Sequence, residues 1–355
     1  MRYRADSAMT RTHHARAERR ASRPFGEPPA ARWLDDVNVS AIPVLEPHYV
    51  ELGTREYSLP GDAPKSLVLF RGDVRQVHHH AFIAKAPRRE GIIECTTEHL
   101  IARLASVLPV AVARSRLARI PRGSLGDPDV RFMSRLFTRT HDRLVHGVEI
   151  VGRCLGLDRT TLDRELTRAT ERDFYTVDTV HDILVEAYAG PSQPAITAAF
   201  GRMLAFDALI GANDRHAMNW GVIEDSLGRR EPRFAPLFDT ARGLLWNHDD
   251  AALRRRAAPA RARTEWLHAY ADRSRTLIAA PGSPRGSHFE LAEYLRRERH
   301  PLLPEMIRVV RAFRPIAARR VLHEEMAGLL TPLRLELIAE LLAHRHARLL
   351  EIVSR

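Results

Sequence analysis

Asn213-Asp214-Arg215-His216-Ala217-Met218-Asn219-Trp220-Gly221-Val222 is the stretch from which the architecture is read. It follows an apolar helical run (Met203, Leu204, Phe206, Leu209, Ile210) and Gly211, and it precedes Val222-Ile223, which open a predicted strand. The stretch is therefore a tight loop between a helix and a strand. Such a loop can present Asp214 as a general base and, five residues later, Asn219 as a metal ligand. After a turn, Phe234-Ala235-Pro236-Leu237-Phe238-Asp239 sets a third oxygen acceptor at the end of a second short strand. Taken alone, the loop is equally an Asx-type turn in which Asp214 bonds nearby amides. What favours chemistry is the order in which further charged residues occur.

Those residues begin with the lysines. Only Lys65 and Lys85 occur among 55 basic residues, the rest being arginine. A lysine kept in such a chain marks a place where a compact point charge is needed. Residues 66–70 and 81–85 read as two strands, the second ending in Lys85, although strand ends are also ordinary places for a solvated charge. Leu100, Ile101, Leu104 and Leu108 recur at helical spacing behind Thr96 or Thr97 as a cap. That puts Glu98 in the first turn, with Glu94 as a competitor one turn earlier. Glu98 can pair with the strand lysine or simply favour the helix dipole.

The phrase Asp214-x-His216-x-x-Asn219, followed by Asp239-Thr240 and Arg242-Gly243, resembles the HipA-like family of bacterial serine/threonine kinases, relatives of the phosphatidylinositol 3/4-kinase fold. The likeness covers roughly residues 65–350 and is strongest over 204–246, so the chain reads as a member with a shortened N-terminal region. It implies an α+β, two-lobed protein-kinase-like fold. Residues 31–140 would form a small β-rich N-lobe with one key helix, and 141–355 a larger, mostly helical C-lobe. Residues 1–30 are expected to be a disordered basic extension.

The same resemblance assigns ATP and Mg²⁺ as cofactors. Lys85 would touch the phosphates and Glu98 would orient it. Asn219 and Asp239 would bind the metal, and Asp214 would receive the proton of a Ser/Thr hydroxyl on a protein substrate. Phe132, Met133, Ser134 and Arg135 fall where the strand feeding the inter-lobe hinge meets adenine, though the pattern fits an ordinary core strand as well. Arg215 would neutralise the loop and His216 hold its backbone. Family members act as toxins in toxin–antitoxin pairs, some of them on aminoacyl-tRNA synthetases, so a protein antitoxin and such a substrate are expectations. The loop 71–80 departs from the family: it has one glycine and no hydroxyl, where members often carry an autophosphorylated serine. A lipid or small-molecule kinase would use the same residues, and a nucleotide-binding pseudokinase would account for the poor loop.

Composition bounds these readings. At 355 residues with 45% hydrophobic and 28% charged content the chain can bury a large core. No apolar run approaches the ~20 residues of a membrane span, and no signal segment indicates export. Cys95 and Cys154 lack metal or redox spacing and read as reduced thiols of a cytoplasmic protein. The net charge of +11 is concentrated in residues 1–23 and 251–275, each with seven arginines against two acids. With no aromatic platform or reading helix, direct nucleic-acid binding is not expected as the primary function. Adjacent His78, His79 and His80 on a strand alternate faces and cannot converge on one ion. Helices are expected over 148–155, 162–171, 177–189, 196–210, 289–296, 303–313, 317–330 and 332–353, strands over 112–120 and 131–137, and loops over 121–129 and 247–262.

Overall fold

The structure, a computed structural model, describes residues 36–45, 50–52, 65–71, 79–87, 91–122, 126–156 and 175–355. The expectations for 1–30, for most of the loop 71–80 and for the helix 162–171 lie outside these residues. A five-stranded antiparallel sheet in the order β1-β2-β3-β5-β4 is built from β1 (Val50–Leu52), β2 (Lys65–Arg71), β3 (His79–Lys85), β4 (Ser115–Arg122) and β5 (Gly126–Arg135). One face buries Val68, Phe82, Ala84, Ala118 and Met133 with Leu45 in a small cluster. On the other face Leu117, Val130 and Phe132 join the main core with α1 (Ile92–Ala105). The period of two thus assigns each strand residue to one of two separate apolar layers. Register also fixes the lysines: Lys65 stands opposite Lys85, and Lys85 opposite Phe132, on the face covered by α1.

Helix α1 starts one turn earlier than its threonines suggest. Gly91, at φ +67°, precedes it, Ile92 and Ile93 are buried, and Thr96 returns its hydroxyl to the carbonyls of Ile92 (2.9 Å) and Ile93 (3.1 Å). A threonine bonded back along the helix is an interior residue, not a cap. Glu98 is consequently mid-helix, and Glu94 holds the first turn. The hairpin β4–β5 takes in much of the expected loop: Ile120 pairs with Asp129 and Arg122 with Gly126. Glycine and proline there mark a strand end and a register shift, uses that sheets tolerate.

Strands β6 (Asp142–His146), β7 (Gly221–Asp225) and β8 (Arg233–Phe234) form a second antiparallel sheet. The helical remainder comprises α2 (Gly147–Leu155), α3 (Val177–Ala187), α4 (Gln193–Ile210), α5 (Asp250–Ala257), α6 (Ala260–Asp272), α7 (His288–Arg297), α8 (Leu303–Ala312), α9 (Pro315–Glu325) and α10 (Pro332–Ser354). Helix α4 is buried on nearly all sides from Ile196 to Ile210, the mark of a central core helix. The expected surface loop over 247–262 is instead α5 and the start of α6. The Asp249 side chain caps α5 by accepting from the Ala252 amide, and arginine is a good helix former, so the charge decorates helices here.

Residues 36–45 do not belong to the first lobe alone. The Asn38 amide donates to the Leu329 carbonyl, and Asp36 accepts from the Asp250 amide, both on the helical side. Leu45 then bonds the Arg119 carbonyl of β4. The segment crosses from one lobe to the other. Among the described residues no helix is long and apolar enough to cross a membrane, and Cys95 and Cys154 are free thiols.

Candidate active site

Gly211 ends α4 in the left-handed region at φ +67°, where a side chain would be strained, and turns the chain into the loop carrying Asp214. The loop is held from behind by a buried ion pair. Asp207, the lone carboxylate on the apolar end of α4, receives Nε and Nη2 of Arg215 at 2.8 and 2.9 Å, a bidentate fork with both side chains 3% exposed. The Nη1 of the same guanidinium donates to the carbonyls of Asn219 (2.8 Å) and Phe238 (3.1 Å). One nitrogen therefore ties the loop carrying Asp214 and Asn219 to the segment entering Asp239. The Asn219 amide nitrogen donates to the Asp214 carbonyl (2.8 Å), which leaves its oxygen as the group free to accept a cation. His216 accepts from the Met218 amide (3.3 Å), as expected of a loop-holding histidine. His288 donates to the Ala212 carbonyl at 2.9 Å; burial and the nearby Arg345 push its pKa down to about 3. The Asp214 carboxylate is a quarter exposed and faces Arg242 Nε at 3.5 Å.

On the opposite wall, Lys85 is 8% exposed and donates to Glu98 Oε1 (2.7 Å) and Asp239 Oδ1 (2.9 Å). Lys65 takes the other oxygen of Asp239 at 3.2 Å. Two lysines directly opposed across a sheet repel, and the carboxylate between them offsets that repulsion. Burial opposes the charge on Lys85, but Glu98 and Asp239 outweigh it and hold its pKa above the usual lysine range. Burial likewise opposes the Asp239 charge, and Lys85 and Lys65 overcome it, holding the carboxyl well below the carboxylate range. Burial pushes the Glu98 carboxyl up against the pull of Lys85. Asp239 itself sits at φ +54°, a left-handed conformation that aspartate tolerates better than most residues. Its approach is fixed by Leu237, which exchanges backbone hydrogen bonds with Ala111 (2.8 Å) and Ala113 (3.1 Å).

A lysine paired with a helix glutamate and facing an aspartate, across from a loop with an Asp and an Asn five apart, is the layout of a kinase-like cleft. The model of the HipA-like C-terminal domain family matches residues 57–289, about two thirds of the sequence. The chain belongs to the HipA-like family. Among solved structures, the proinflammatory kinase CtkA of Helicobacter pylori is similar in fold, with a TM-score of 0.66 at 13% identity, covering 88% of this chain and 97% of that one. HipA of Shewanella oneidensis MR-1, solved with HipB and operator DNA, gives a TM-score of 0.49 at 17% identity, covering 85% of this chain and 66% of that one. No curated protein sequence matches. Family and fold together support a kinase-type function, on the expected α+β kinase-like architecture.

Within this HipA-like cleft the structure brings Glu98 and Asp239 together on Lys85, and Arg215 joins the Asn219 carbonyl to that of Phe238, the residue before Asp239, while the Asn219 side chain holds the Asp214 carbonyl. It holds Phe132, Met133 and Ser134 inside the five-stranded sheet. These three pair with Lys85, Ala84 and Ile83 on one side and with Leu117, Arg116 and Ser115 on the other, and Arg135 gives its amide to the Arg114 carbonyl. A strand flanked on both sides has spent its backbone groups on the ladder. The Leu136 amide still donates to the Ala81 carbonyl (2.8 Å), and the chain leaves the sheet over residues 137–139, where the Phe137 ring lies 5.8 Å from that of Phe238.

Three contributors escaped the sequence reading. Lys65 was marked only by rarity. Asp207 carried the signal of a carboxylate in an apolar run. Arg242 was part of the matched phrase without a role.

Proposed function

We propose that this HipA-like chain transfers the γ-phosphoryl group of ATP to a serine or threonine hydroxyl of a protein. The observation that carries the reading is the Asp239 carboxylate, gripped by two cross-strand lysines while one arginine nitrogen ties the carbonyl of the preceding Phe238 to that of Asn219. Asp239 and the Asn219 amide oxygen are hard oxygen donors suited to Mg²⁺, which would neutralise phosphate charge when bound. Lys85, kept charged by Glu98 and Asp239, is the group available to the phosphates, and Lys65 stands beside it on the same face. Adenine would meet the backbone of residues 137–139, beyond the paired strand. The acceptor hydroxyl gives its proton to Asp214 as its oxygen bonds to the γ-phosphorus. The bond from that phosphorus to the β,γ-bridging oxygen breaks, and its electron pair leaves with ADP. Arg242, beside Asp214, offsets the carboxylate's charge before the proton arrives.

From the family alone we extend the proposal to an aminoacyl-tRNA synthetase as acceptor and a protein antitoxin as partner. The direct test is label transfer from γ-labelled ATP by the purified chain and by Asp214→Ala and Asp239→Ala. Each change is expected to reduce transfer by about a hundredfold or more. Undiminished transfer by both variants overturns the residue roles.

A further inference from the structure

Beside the catalytic loop lies a cavity of about 380 Å³, lined among others by Asn213, His248, Arg256, Trp266, Tyr270 and Arg273. None of these side chains has a part in the chemistry above. The walls are built by α5 and α6. The His248 ring meets Trp266 and Tyr270 edge-on at 5.5 and 5.4 Å, and the Arg256 guanidinium stands over Trp266 at 5.7 Å. The Tyr270 hydroxyl is fixed on the Leu244 carbonyl and on Asn247. The cavity is joined to the loop because Asn213 Oδ1 accepts from the Arg275 amide (3.0 Å) and the Ser274 hydroxyl (3.4 Å).

Its charge is one-sided. The lining holds two guanidiniums and no carboxylate. Nearby arginines of α6 are committed elsewhere, Arg261 to Glu265 and Arg263 to Glu336 and Glu340. Arg256 and Arg273, both exposed, have no such ion pair among the described residues. Behind the cavity Arg345 is 1% exposed and held by the carbonyls of Ala208 and Ala271, both at 2.8 Å, with no carboxylate in ion-pair distance among the described residues. Arg334, whose guanidinium holds the His248 carbonyl, is neutralised by Asp250. Asp249 and Asp272 are the remaining acids close by, and neither lines the cavity.

We propose that this cavity is the acceptor-side specificity pocket and takes an anionic side chain of the protein substrate, so that the enzyme selects acidic segments. The inference rests on the phosphoryl-transfer reading for its purpose. Guanidiniums recognise carboxylate and phosphate by paired hydrogen bonds, and an aromatic wall packs the stem of the arriving side chain. Asn213 immediately precedes Asp214. An extended peptide advances about 3.3 Å per residue, so the pocket reads a position only a few residues from the hydroxyl presented to Asp214.

The test is fluorescence anisotropy on the full chain without ATP, using labelled serine peptides flanked by glutamate or by lysine. The glutamate peptide is expected to bind at least tenfold tighter, and Arg256→Glu and Arg273→Glu are each expected to weaken it at least fivefold, with melting temperatures reporting that both variants fold. A phosphoserine flank that binds tighter still and loses to the same variants supports the pocket with phosphate as its anion. Equal affinity for the two flanks, unchanged affinity in both variants, or preferential binding of a single-stranded RNA probe overturns it. Because no nucleotide is present, the result stands apart from label transfer: a chain that binds acidic peptide and transfers no phosphate keeps the pocket and loses the kinase reading.

Discussion

Two ion-pair clusters flank the cleft, and they are built on opposite plans. Behind the catalytic loop, Arg215 and Asp207 are sealed at 3% exposure, joined by a two-pronged fork, with the remaining donor on main-chain carbonyls. Across the cleft, Asp239 is a quarter exposed and meets each of two lysines through one oxygen. A bidentate buried pair has one geometry and a high cost of separation, so it serves as a fixture. Single contacts at a partly open carboxylate can be exchanged for a competing cation at small cost, so that cluster suits chemistry. The lesson is that burial and denticity together separate the charges that hold a site from those that operate it.

The strongest way to break this contrast is Arg215→Ala. Leaving Asp207 buried and unpaired is expected to cost about 3–5 kcal/mol of folding stability, measured by denaturant unfolding, and to abolish activity with it. Asp239→Asn should fall mainly on the chemistry. The amide keeps the left-handed backbone acceptable but leaves Lys65 and Lys85 opposed without the carboxylate between them, so stability falls by less than in Arg215→Ala while label transfer falls by roughly a hundredfold to a thousandfold. Similar stability losses in both variants would erase the distinction.

A smaller effect sharpens it through pH. His288, on the fixture side, binds a proton at about 3 when folded and near 6.5 when unfolded, so the unfolded state takes up more protons between those values. His288 alone should contribute a fall of roughly 2 kcal/mol from pH 6.5 to 5, added to that of other buried histidines such as His99, and His288→Asn should remove its share of the slope in denaturation curves. Asp239, depressed by its lysines, contributes stability present above its unfolded pKa and lost only as pH falls through its lower folded value. It adds nothing to the slope between pH 5 and 8. The smallest effect is Lys65→Ala, which removes one grip on Asp239 and leaves Lys85. A less than tenfold loss of transfer is expected, well short of that for Lys85→Ala in the same assay.

Much of this was legible in the chain. That Lys85, Glu98 and Asp239 meet, and that Asp214 and Asn219 share a loop, follows their residue type and order in the chain, with Lys85 marked by scarcity at a strand end. Lys65 shared the scarcity, but its role depends on the register that sets it opposite Lys85, and register follows from pairing partners across a loop. The pairing of Phe132-Met133-Ser134 was hidden for a related reason: nothing in these residues says that a strand will flank them on each side. Arginine content made residues 247–262 look like a loop, because charge is read as exposure, whereas capping by Asp249 and the helix propensity of arginine decide the backbone. Glu98 was found on the right helix in the wrong turn, since a threonine serves a cap and a helix interior alike.

The bonds of Leu237 to Ala111 and Ala113 have a mechanical meaning. They fasten the run-up to Asp239 to the stretch between α1 and β4, while Arg215 anchors the very next carbonyl to the helical half. The aspartate is thus fastened to both halves. On the proposed reading, rocking of one half against the other would alter the spacing of the oxygens offered to a divalent ion, so that cleft closure and metal affinity would change together.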